Sequence, residues 1–353
     1  MPATGVRAVL LLFGFTFMAT GAEAQLHWEK LPPIPDREGF ASPFAGTSNG
    51  ALIVAGGANF PDKRPWEGGT KTWYDGAYVL DPAAGSWKGG FRLPHAVAYG
   101  VSVTTDDGVI CIGGGDATRH FRDVLRLSWD GKSIHTSALP GLPRPCAFMC
   151  GAVVGKTLYI TGGIEKPDAV ECMDTFWSLD LANAKAQWQE MQPPAGSPPR
   201  MLSVAGSAGG SFYRFSGARL SPGPDGKPVR EYLRDAWRFT PSQGWRRLAD
   251  LPRPCVAAPS PAPVSRGGHL LVISGDDGAN IHFKPESAHP GFPRDVLAYD
   301  PVKDAWRLVG SCPFSRGTVP TAYWRDRYVI PNGEARPGYR SNEVWSLRIE
   351  DLP

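Results

Sequence analysis

LIVAGG at residues 52–57 is the first of six similar stretches, each a short apolar run that ends in two small residues. The other copies are VICIGG at 109–114, LYITGG at 158–163, FYRFSG at 212–217, LLVISG at 270–275 and YVIPNG at 328–333. The ends of successive copies are 49 to 58 residues apart. A regular interval of this length is the signature of a repeat architecture, so the chain is expected to form six similar units.

Each unit carries two further strand patterns. An aromatic run closed by aspartate follows most copies, as in AYVLD ending at Asp81 and DVLAYD ending at Asp300. A tryptophan strand that leads into a Leu-Pro turn comes next, and residues 245–252 are its clearest example. No long segment has the period of a helix. Each unit is therefore predicted to be a sheet of about four short strands.

The repeat length resembles that of the kelch family, whose units of about 50 residues form the four-stranded blades of a β-propeller. The strand pattern LHWEKL at residues 26–31 has no unit of its own, whereas the last unit lacks its tryptophan strand. We therefore predict an all-β, six-bladed kelch propeller whose ring is closed by the N-terminal strand. The glycine pairs are expected to let inner strands approach the axis.

The first 24 residues have the pattern of a secretory signal peptide. Arg7 precedes an apolar run over residues 8–18, and Ala22-Glu23-Ala24 fits the cleavage pattern before Gln25. The run is too short for a membrane span, and no later stretch reaches 18 apolar residues, although an uncleaved anchor is the alternative. We expect a signal peptide over 1–24, a propeller domain over 25–353, no membrane span after cleavage, and a periplasmic location in a Gram-negative host.

Composition excludes several classes of protein. The net charge is only +3 and no block of Lys or Arg is present, so a nucleic-acid partner is not expected. Hydrophobic residues make up 42% of the chain, which is enough for a sizeable core. The six cysteines allow either disulfides or buried free thiols, and none has histidines at zinc-site spacing. No metal or organic cofactor is predicted.

Arginines recur just before the first strand of five units. Their positions are Arg37, Arg144, Arg200, Arg253 and Arg316. Arginines that converge on the axis would form an anion site, because guanidinium binds carboxylate through two parallel hydrogen bonds. The alternative is that each pairs with a neighbouring carboxylate of the protein.

The last unit contains the most distinctive segment, NGEARPGYR at residues 332–340. It resembles the sialic acid mutarotase (N-acetylneuraminate epimerase) family, in which a catalytic glutamate and an arginine lie six residues apart, as Glu334 and Arg340 do. AGGANF at 55–60 and AYGVS at 98–102 also resemble this family, but their order relative to the glutamate indicates its cyclically permuted branch. Val97 stands where the family has an arginine, so another sugar acid stays open as the substrate.

The resemblance implies an isomerase that interconverts the α and β anomers of free N-acetylneuraminate by acid–base ring opening. Glu334 is then the catalytic residue. Arg340, helped by Arg316 or Arg144, would hold the carboxylate of this small-molecule substrate, and Asn59 and Asp116 would make polar contacts to the sugar.

Two functions of other classes compete with this one. A non-catalytic exported module that binds glycans or proteins would not need Glu334. A copper oxidase like galactose oxidase is disfavoured, because the seven histidines lack the required arrangement with tyrosine and cysteine. The oligomeric state is left open.

Overall fold

Six antiparallel sheets account for the six repeats, and the chain folds as the predicted all-β, six-bladed β-propeller. The computed structural model describes Met1, residues 26–82, residues 84–350 and Leu352. The predicted signal peptide after Met1 lies outside these residues. The described part contains two single-turn 3₁₀ helices, Pro65–Glu67 and Glu286–Ala288, and none of its helices is long and apolar enough to cross a membrane.

Each of the first four blades has four strands, ordered below from the axis outwards. Blade 1 consists of Phe44–Ser48, Ala51–Ala55, Gly76–Leu80 and Trp87–Arg92. Blade 2 consists of Val101–Thr105, Gly108–Ile112, Val124–Trp129 and Ile134–Leu139. Blade 3 consists of Cys150–Val154, Thr157–Thr161, Phe176–Asp180 and Gln189–Glu190. Blade 4 consists of Val204–Ala208, Ser211–Phe215, Ala236–Thr240 and Gly244–Leu248.

The last two blades depart from this order. Blade 5 has the strands Leu270–Ile273, Asp295–Asp300 and Ala305–Ser311, and its innermost position is reduced to a single bridge between Val264 and Leu270. Blade 6 has Ala322–Trp324, Arg327–Pro331, Val344–Ile349 and, on the outside, Leu26–Leu31. In the outer pair, Leu26 lies opposite Ile349 and Leu31 opposite Val344. Residues from near both chain ends thus share one sheet.

Three two-stranded hairpins project from the blades between the second and third strands. They are Ala58–Asn59 with Thr72–Trp73 in blade 1, Ala218–Pro222 with Pro228–Tyr232 in blade 4, and Glu334–Arg336 with Tyr339–Arg340 in blade 6. All three begin directly after a small-residue pair. The hairpins of blades 1 and 6 belong to the two blades that hold the candidate site.

The core is divided among the interfaces between neighbouring blades. A separate cluster of buried apolar side chains fills each of the six interfaces. Between blades 6 and 1, for example, Trp324 and Val329 pack with Leu52 and Val54. Because a single sheet leaves both faces exposed, burial of these clusters is the main force that assembles the ring.

Six residues around the axis form a closed ring of backbone hydrogen bonds. One lies just before the first strand of each blade, and each donates its N–H to the carbonyl of its counterpart in the preceding blade at 2.6–3.2 Å. The members of this hydrogen-bonded ring are Ser42, Tyr99, Phe148, Leu202, Ala257 and Thr318, all with φ between +43° and +64°. The bond from Ser42 to Thr318 joins blade 1 to blade 6.

The glycine pairs have a different role from the predicted one. They end the second strand of a blade, so they do not let the innermost strand approach the axis. Gly57 has φ +103°, and a Cβ there would lie 2.6 Å from the Cβ of Phe40. Its N–H donates to the carbonyl of Val97, which precedes the first strand of the next blade, at 2.8 Å. Glycine is needed because the segments leading into two blades pack against the strand end.

All six cysteines are free thiols, which agrees with the second of the two alternatives from the sequence. Five are buried, and Cys172 is half-buried. Burial raises the pKa of the Cys150 thiol to about 12, so this group is protonated and unreactive at neutral pH.

Replacing Trp28 by alanine tests what the N-terminal strand contributes to blade 6. The Trp28 ring meets Phe314 edge-on at 5.1 Å and packs on the cluster between blades 5 and 6. We expect the substitution to lower the free energy of unfolding by about 3 kcal/mol, measured by urea denaturation. Val302→Ala, at a side chain 92% exposed, is the control and should have little effect. Equal stability of the two variants would contradict a structural role for this strand.

Candidate functional site

The residue that follows each small-residue pair occupies an equivalent position in all six blades. Each forms an antiparallel bridge with the residue just before a member of the hydrogen-bonded ring. These six positions are Ala58, Gly115, Ile164, Ala218, Asp276 and Glu334. Four of them carry no ionisable group, so Asp276 and Glu334 are the two carboxylates that the fold places in this layer next to the axis.

Glu334 forms an ion pair with Arg340 across the hairpin of blade 6. The two residues are directly opposite in the register of the hairpin, which is why a separation of six residues brings them into contact. Oε1 of Glu334 accepts hydrogen bonds from Nη1 of Arg340 and, at 3.1 Å, from the N–H of Gly338. Oε2 accepts none from the described residues. The Glu334 side chain is 19% exposed, which leaves this oxygen free for a ligand.

Asp276 occupies the equivalent position in blade 5 but has no free oxygen. Oδ2 accepts a hydrogen bond from the Tyr232 hydroxyl at 2.7 Å, and Oδ1 accepts one from the N–H of Gly278 at 3.0 Å. Burial and the neighbouring Asp276 carboxylate raise the pKa of Tyr232 to about 12, which keeps this donor protonated. Of the two carboxylates, only Glu334 has an oxygen without a hydrogen-bond partner among the described residues.

Arg340 holds the Glu334 carboxylate from a buried position. Its side chain is 3% exposed, its Nε donates to the carbonyl of Ala58 at 3.4 Å, and its guanidinium lies 5.2 Å from the ring centre of Phe60. Burial disfavours the charged form, but Glu334 and the Tyr99 hydroxyl outweigh it and raise the pKa of Arg340. Arg340 is a permanent cation that joins blade 6 to blade 1.

Tyr99 connects this pair with the axis. It belongs to the hydrogen-bonded ring, and its side chain stacks on Phe148 with ring centres 4.5 Å apart. Both residues line a cavity of about 60 Å³ at the axis, together with Ser42, Leu202 and Thr318. Neither Glu334 nor Arg340 lines this cavity, but Tyr99 both lines it and interacts with Arg340, so the surroundings of Tyr99 that include the Glu334–Arg340 pair are called the rim of the cavity here.

Lys71 is a further cation at this rim, and sequence reasoning missed it. Its ammonium lies 5.2 Å from the ring centre of Tyr99, 5.6 Å from that of Trp73 and 5.7 Å from that of Phe60. Within the described part of the chain it forms no ion pair and no hydrogen bond. A single lysine in a polar loop carries no sequence signal, because only the fold brings Phe60, Trp73 of the same hairpin and Tyr99 of the next blade around one ammonium.

The structure does not bring the Arg316 and Arg144 side chains to Glu334. Arg316 is buried, and its Nη2 donates to Ser341 Oγ at 2.7 Å and to Glu343 Oε2 at 2.9 Å. Arg144 is half-exposed and forms an ion pair with Glu165 in blade 3. Their predicted part in binding the sugar carboxylate stays a prediction, but both guanidinium groups already have a carboxylate partner.

The recurring arginines pair with carboxylates of their own blades, which was the alternative to convergence on the axis. Three of them contact an acid at the start of the third strand, either its first residue or the residue just before it. These pairs are Arg200 with Asp235, Arg253 with Asp295, and Arg316 with Glu343. Arg37 instead lies 3.2 Å from Glu38 at the surface. The repeated arginine is therefore a structural feature of the blade, and it does not form a convergent anion site.

Asn59 and Asp116 are engaged in hydrogen bonds within the protein. Asn59 is buried, donates from Nδ2 to the carbonyl of Gly39 at 3.0 Å and accepts from the Tyr74 hydroxyl at 2.8 Å. Asp116 Oδ1 accepts from the N–H and the hydroxyl of Thr118 at 2.7 and 2.8 Å. Asn59 adjoins Ala58 beside Arg340, whereas Asp116 belongs to blade 2. Contact of either with a sugar stays a prediction.

No group of three or more His, Cys, Asp or Glu side chains in the described residues is arranged to hold a metal ion. The chemistry available at the rim is that of a carboxylate with one free oxygen, a buried guanidinium and an unpaired ammonium.

An aromatic clamp ties the loop of blade 1 to the hairpin of blade 6. The guanidinium carbons of Arg64 and Arg336 lie 4.4 and 4.0 Å from the ring centre of Tyr339, and the Trp66 ring lies 5.5 Å from it. Cation–π contacts of this kind contribute about 0.5–1 kcal/mol each at exposed sites. The clamp therefore holds together the two blades that share the Glu334–Arg340 pair.

Gly338→Ala tests the clamp. A Cβ at Gly338 would lie 2.6 Å from Cζ3 of Trp66, and the residue has φ +78°. Gly268→Ala is the matched control, because Gly268 has φ +83° but nothing within 4 Å of an added Cβ. Both variants should lose about 1 kcal/mol of unfolding free energy through the positive φ. Gly338→Ala should lose at least about 1 kcal/mol more by overpacking, measured by urea denaturation. Equal losses would show that Trp66 does not hold the hairpin.

The chain is similar in sequence to known proteins. A family model described as N-acetylneuraminate epimerase matches residues 16–136. The N-acetylneuraminate epimerase of Haemophilus influenzae (strain PittEE) is 28% identical over 240 residues, which are 60% of this chain and 60% of that protein. The one from Yersinia pestis (strain Pestoides F) is 34% identical over 233 residues, 58% of this chain and 56% of that protein. The matches thus span about 60% of the length of these curated relatives.

A solved structure described as "Structure of YjhT" aligns with a TM-score of 0.66 at 16% identity, covering 91% of this chain and 99% of that chain. This likeness concerns the fold alone. The sequence matches separately show that about 60% of the chain is similar to N-acetylneuraminate epimerases.

Proposed function

We propose that this protein is a mutarotase that interconverts the α and β anomers of free N-acetylneuraminate. The relatives that carry the name N-acetylneuraminate epimerase support this class of reaction. The proposal rests on the hydrogen bonding of the Glu334 carboxylate. One of its oxygens is held by the buried Arg340, and the other is free at the rim of the axial cavity.

Mutarotation asks for proton transfer at two oxygens of the sugar. Oε2 of Glu334 accepts the proton of the anomeric hydroxyl while the bond between the anomeric carbon and the ring oxygen breaks. The electron pair of that bond goes to the ring oxygen, which takes the proton back from the glutamic acid. The open-chain ketone turns about its bond to the next carbon, and the reverse steps close the ring on the other face.

Arg340, expected from the sequence to hold the sugar carboxylate, is instead a positioning residue in this scheme, because it is paired with Glu334. It fixes the carboxylate through Oε1, so that Oε2 is the atom presented to the sugar. Because its pKa is raised, it stays charged while Glu334 gains and loses a proton. A fixed cation beside an acid–base group supplies electrostatic stabilisation without reorganisation of the site.

The test is anomer exchange followed by proton NMR. A sialidase releases N-acetylneuraminate as the α anomer, and its decay to the β anomer is recorded with and without the protein. We expect acceleration by the wild-type protein and a loss of at least about a hundredfold in Glu334→Gln, as general acid–base catalysis contributes about 10²–10⁴-fold. Glu165→Gln, which removes the surface ion pair with Arg144, is the matched control and should retain the wild-type rate.

Each other outcome favours a different function. Acceleration that persists in Glu334→Gln would keep the reaction and discard the catalytic residue. Absence of acceleration by folded wild-type protein would contradict the proposal. It would favour either a mutarotase for another sugar acid, which Val97 leaves open, or a binding module without catalysis.

We also propose that the protein is exported to the periplasm, on the basis of the sequence pattern of residues 1–24. Fractionation of a Gram-negative host followed by mass spectrometry should find the chain in the periplasm with Gln25 as its first residue. Recovery from the cytoplasm with residues 1–24 intact would contradict this proposal.

A further inference from the structure

We propose that Lys71 binds the carboxylate of the substrate and thereby restricts the site to sugar acids. The inference rests on the proposed mutarotase function and adds the residue that determines specificity. It arises from the placement of this lysine and from the charge balance at the rim of the axial cavity.

Lys71 and the Glu334–Arg340 pair lie beside the same aromatic rings. The Lys71 ammonium and the Arg340 guanidinium are 5.7 and 5.2 Å from the ring centre of Phe60. Both cations also interact with Tyr99, a member of the hydrogen-bonded ring. A ligand that reaches the free oxygen of Glu334 therefore comes within reach of Lys71.

Lys71 is a cation at the rim that has no carboxylate partner among the described residues. Arg340 is neutralised by Glu334, and Arg64 on the same loop as Lys71 lies 2.8 Å from a carboxylate oxygen of Glu38. Lys71 has no carboxylate within ion-pair distance in the described residues. Three aromatic faces replace part of the water around its half-buried ammonium. Because the Lys71 ammonium has already lost part of its water shell, a substrate carboxylate can form an ion pair with it at little further desolvation cost.

A sugar acid has two groups that Lys71 and Glu334 can bind separately, its carboxylate and its anomeric hydroxyl. In the cyclic form of a 2-keto sugar acid, the carboxylate and the anomeric hydroxyl are bonded to the same carbon. Lys71 at the carboxylate and Glu334 at the hydroxyl would thus fix the reacting carbon from two sides. A neutral aldose offers the hydroxyl alone, so the site should discriminate against it.

Three variants test this role. Lys71→Met removes the charge but keeps an apolar chain over the aromatic rings, and Lys71→Arg keeps the charge. Lys63→Met is the control, since Lys63 is an exposed lysine of the same loop. The KM and kcat of anomer exchange are measured by NMR for N-acetylneuraminate and for its uncharged methyl ester.

We expect Lys71→Met to raise the KM for the acid by about tenfold to a hundredfold, as for loss of one charged hydrogen bond, with a smaller change in kcat. Lys71→Arg should recover part of this loss. The methyl ester should show the same KM with wild-type protein and Lys71→Met, because it has no charge to bind. Lys63→Met should behave as wild type with both substrates.

Equilibrium binding of N-acetylneuraminate, measured by calorimetry, separates this inference from the proposed reaction. If wild-type protein binds the acid without accelerating exchange, and Lys71→Met weakens binding about tenfold or more, the role of Lys71 is supported and the mutarotase proposal is wrong. If wild-type protein accelerates exchange and Lys71→Met has unchanged KM and affinity, the role of Lys71 is wrong and the mutarotase proposal is supported. Absence of binding by wild-type protein would also contradict the role of Lys71.

Discussion

The closed ring of backbone hydrogen bonds is the constraint on which the rest of the structure depends. None of its six members is a glycine, yet all have positive φ values, and each N–H donates to the carbonyl of the counterpart in the preceding blade. The members are Ser42, Tyr99, Phe148, Leu202, Ala257 and Thr318. Each such conformation costs about 1 kcal/mol or more when isolated. The positive φ values persist because the six apolar interfaces set the angle between neighbouring blades. At that angle six blades close the ring, and every one of the six backbone hydrogen bonds is formed.

This ring also explains why a carboxylate and two cations from distant parts of the sequence meet at one place. In each blade, the residue just before the ring member forms a β-bridge with the residue that follows the small-residue pair. Six equivalent positions therefore surround the axis at the same height. Closing blade 6 onto blade 1 brings Glu334 and Arg340 beside Phe60 and Lys71, although about 270 residues separate them along the chain.

The features that could be predicted from the sequence are those with a local period. The strands ending in Gly pairs specified six blades, and the separation of Glu334 from Arg340 matched a cross-strand pair. The acids that pair with Arg200 and Arg253 could also have been found, because Asp235 and Asp295 both stand where a third strand begins. The positive φ of Tyr99 and its contact with Lys71 could not, because both depend on how neighbouring blades meet and leave no pattern along the chain.

A fold of equivalent blades must break its symmetry to create a site, and the two carboxylates of this layer show how. Asp276 and Glu334 occupy the same position, yet the hairpin of blade 4 delivers the Tyr232 hydroxyl to Asp276 and completes its hydrogen bonds. The short hairpin of blade 6 instead folds back on Glu334, and Arg340 reaches only Oε1. A carboxylate whose two oxygens both accept hydrogen bonds from the protein is held by the fold, whereas one with a free oxygen is held ready for a ligand. The difference between a structural and a reactive carboxylate thus lies in which neighbour reaches the second oxygen.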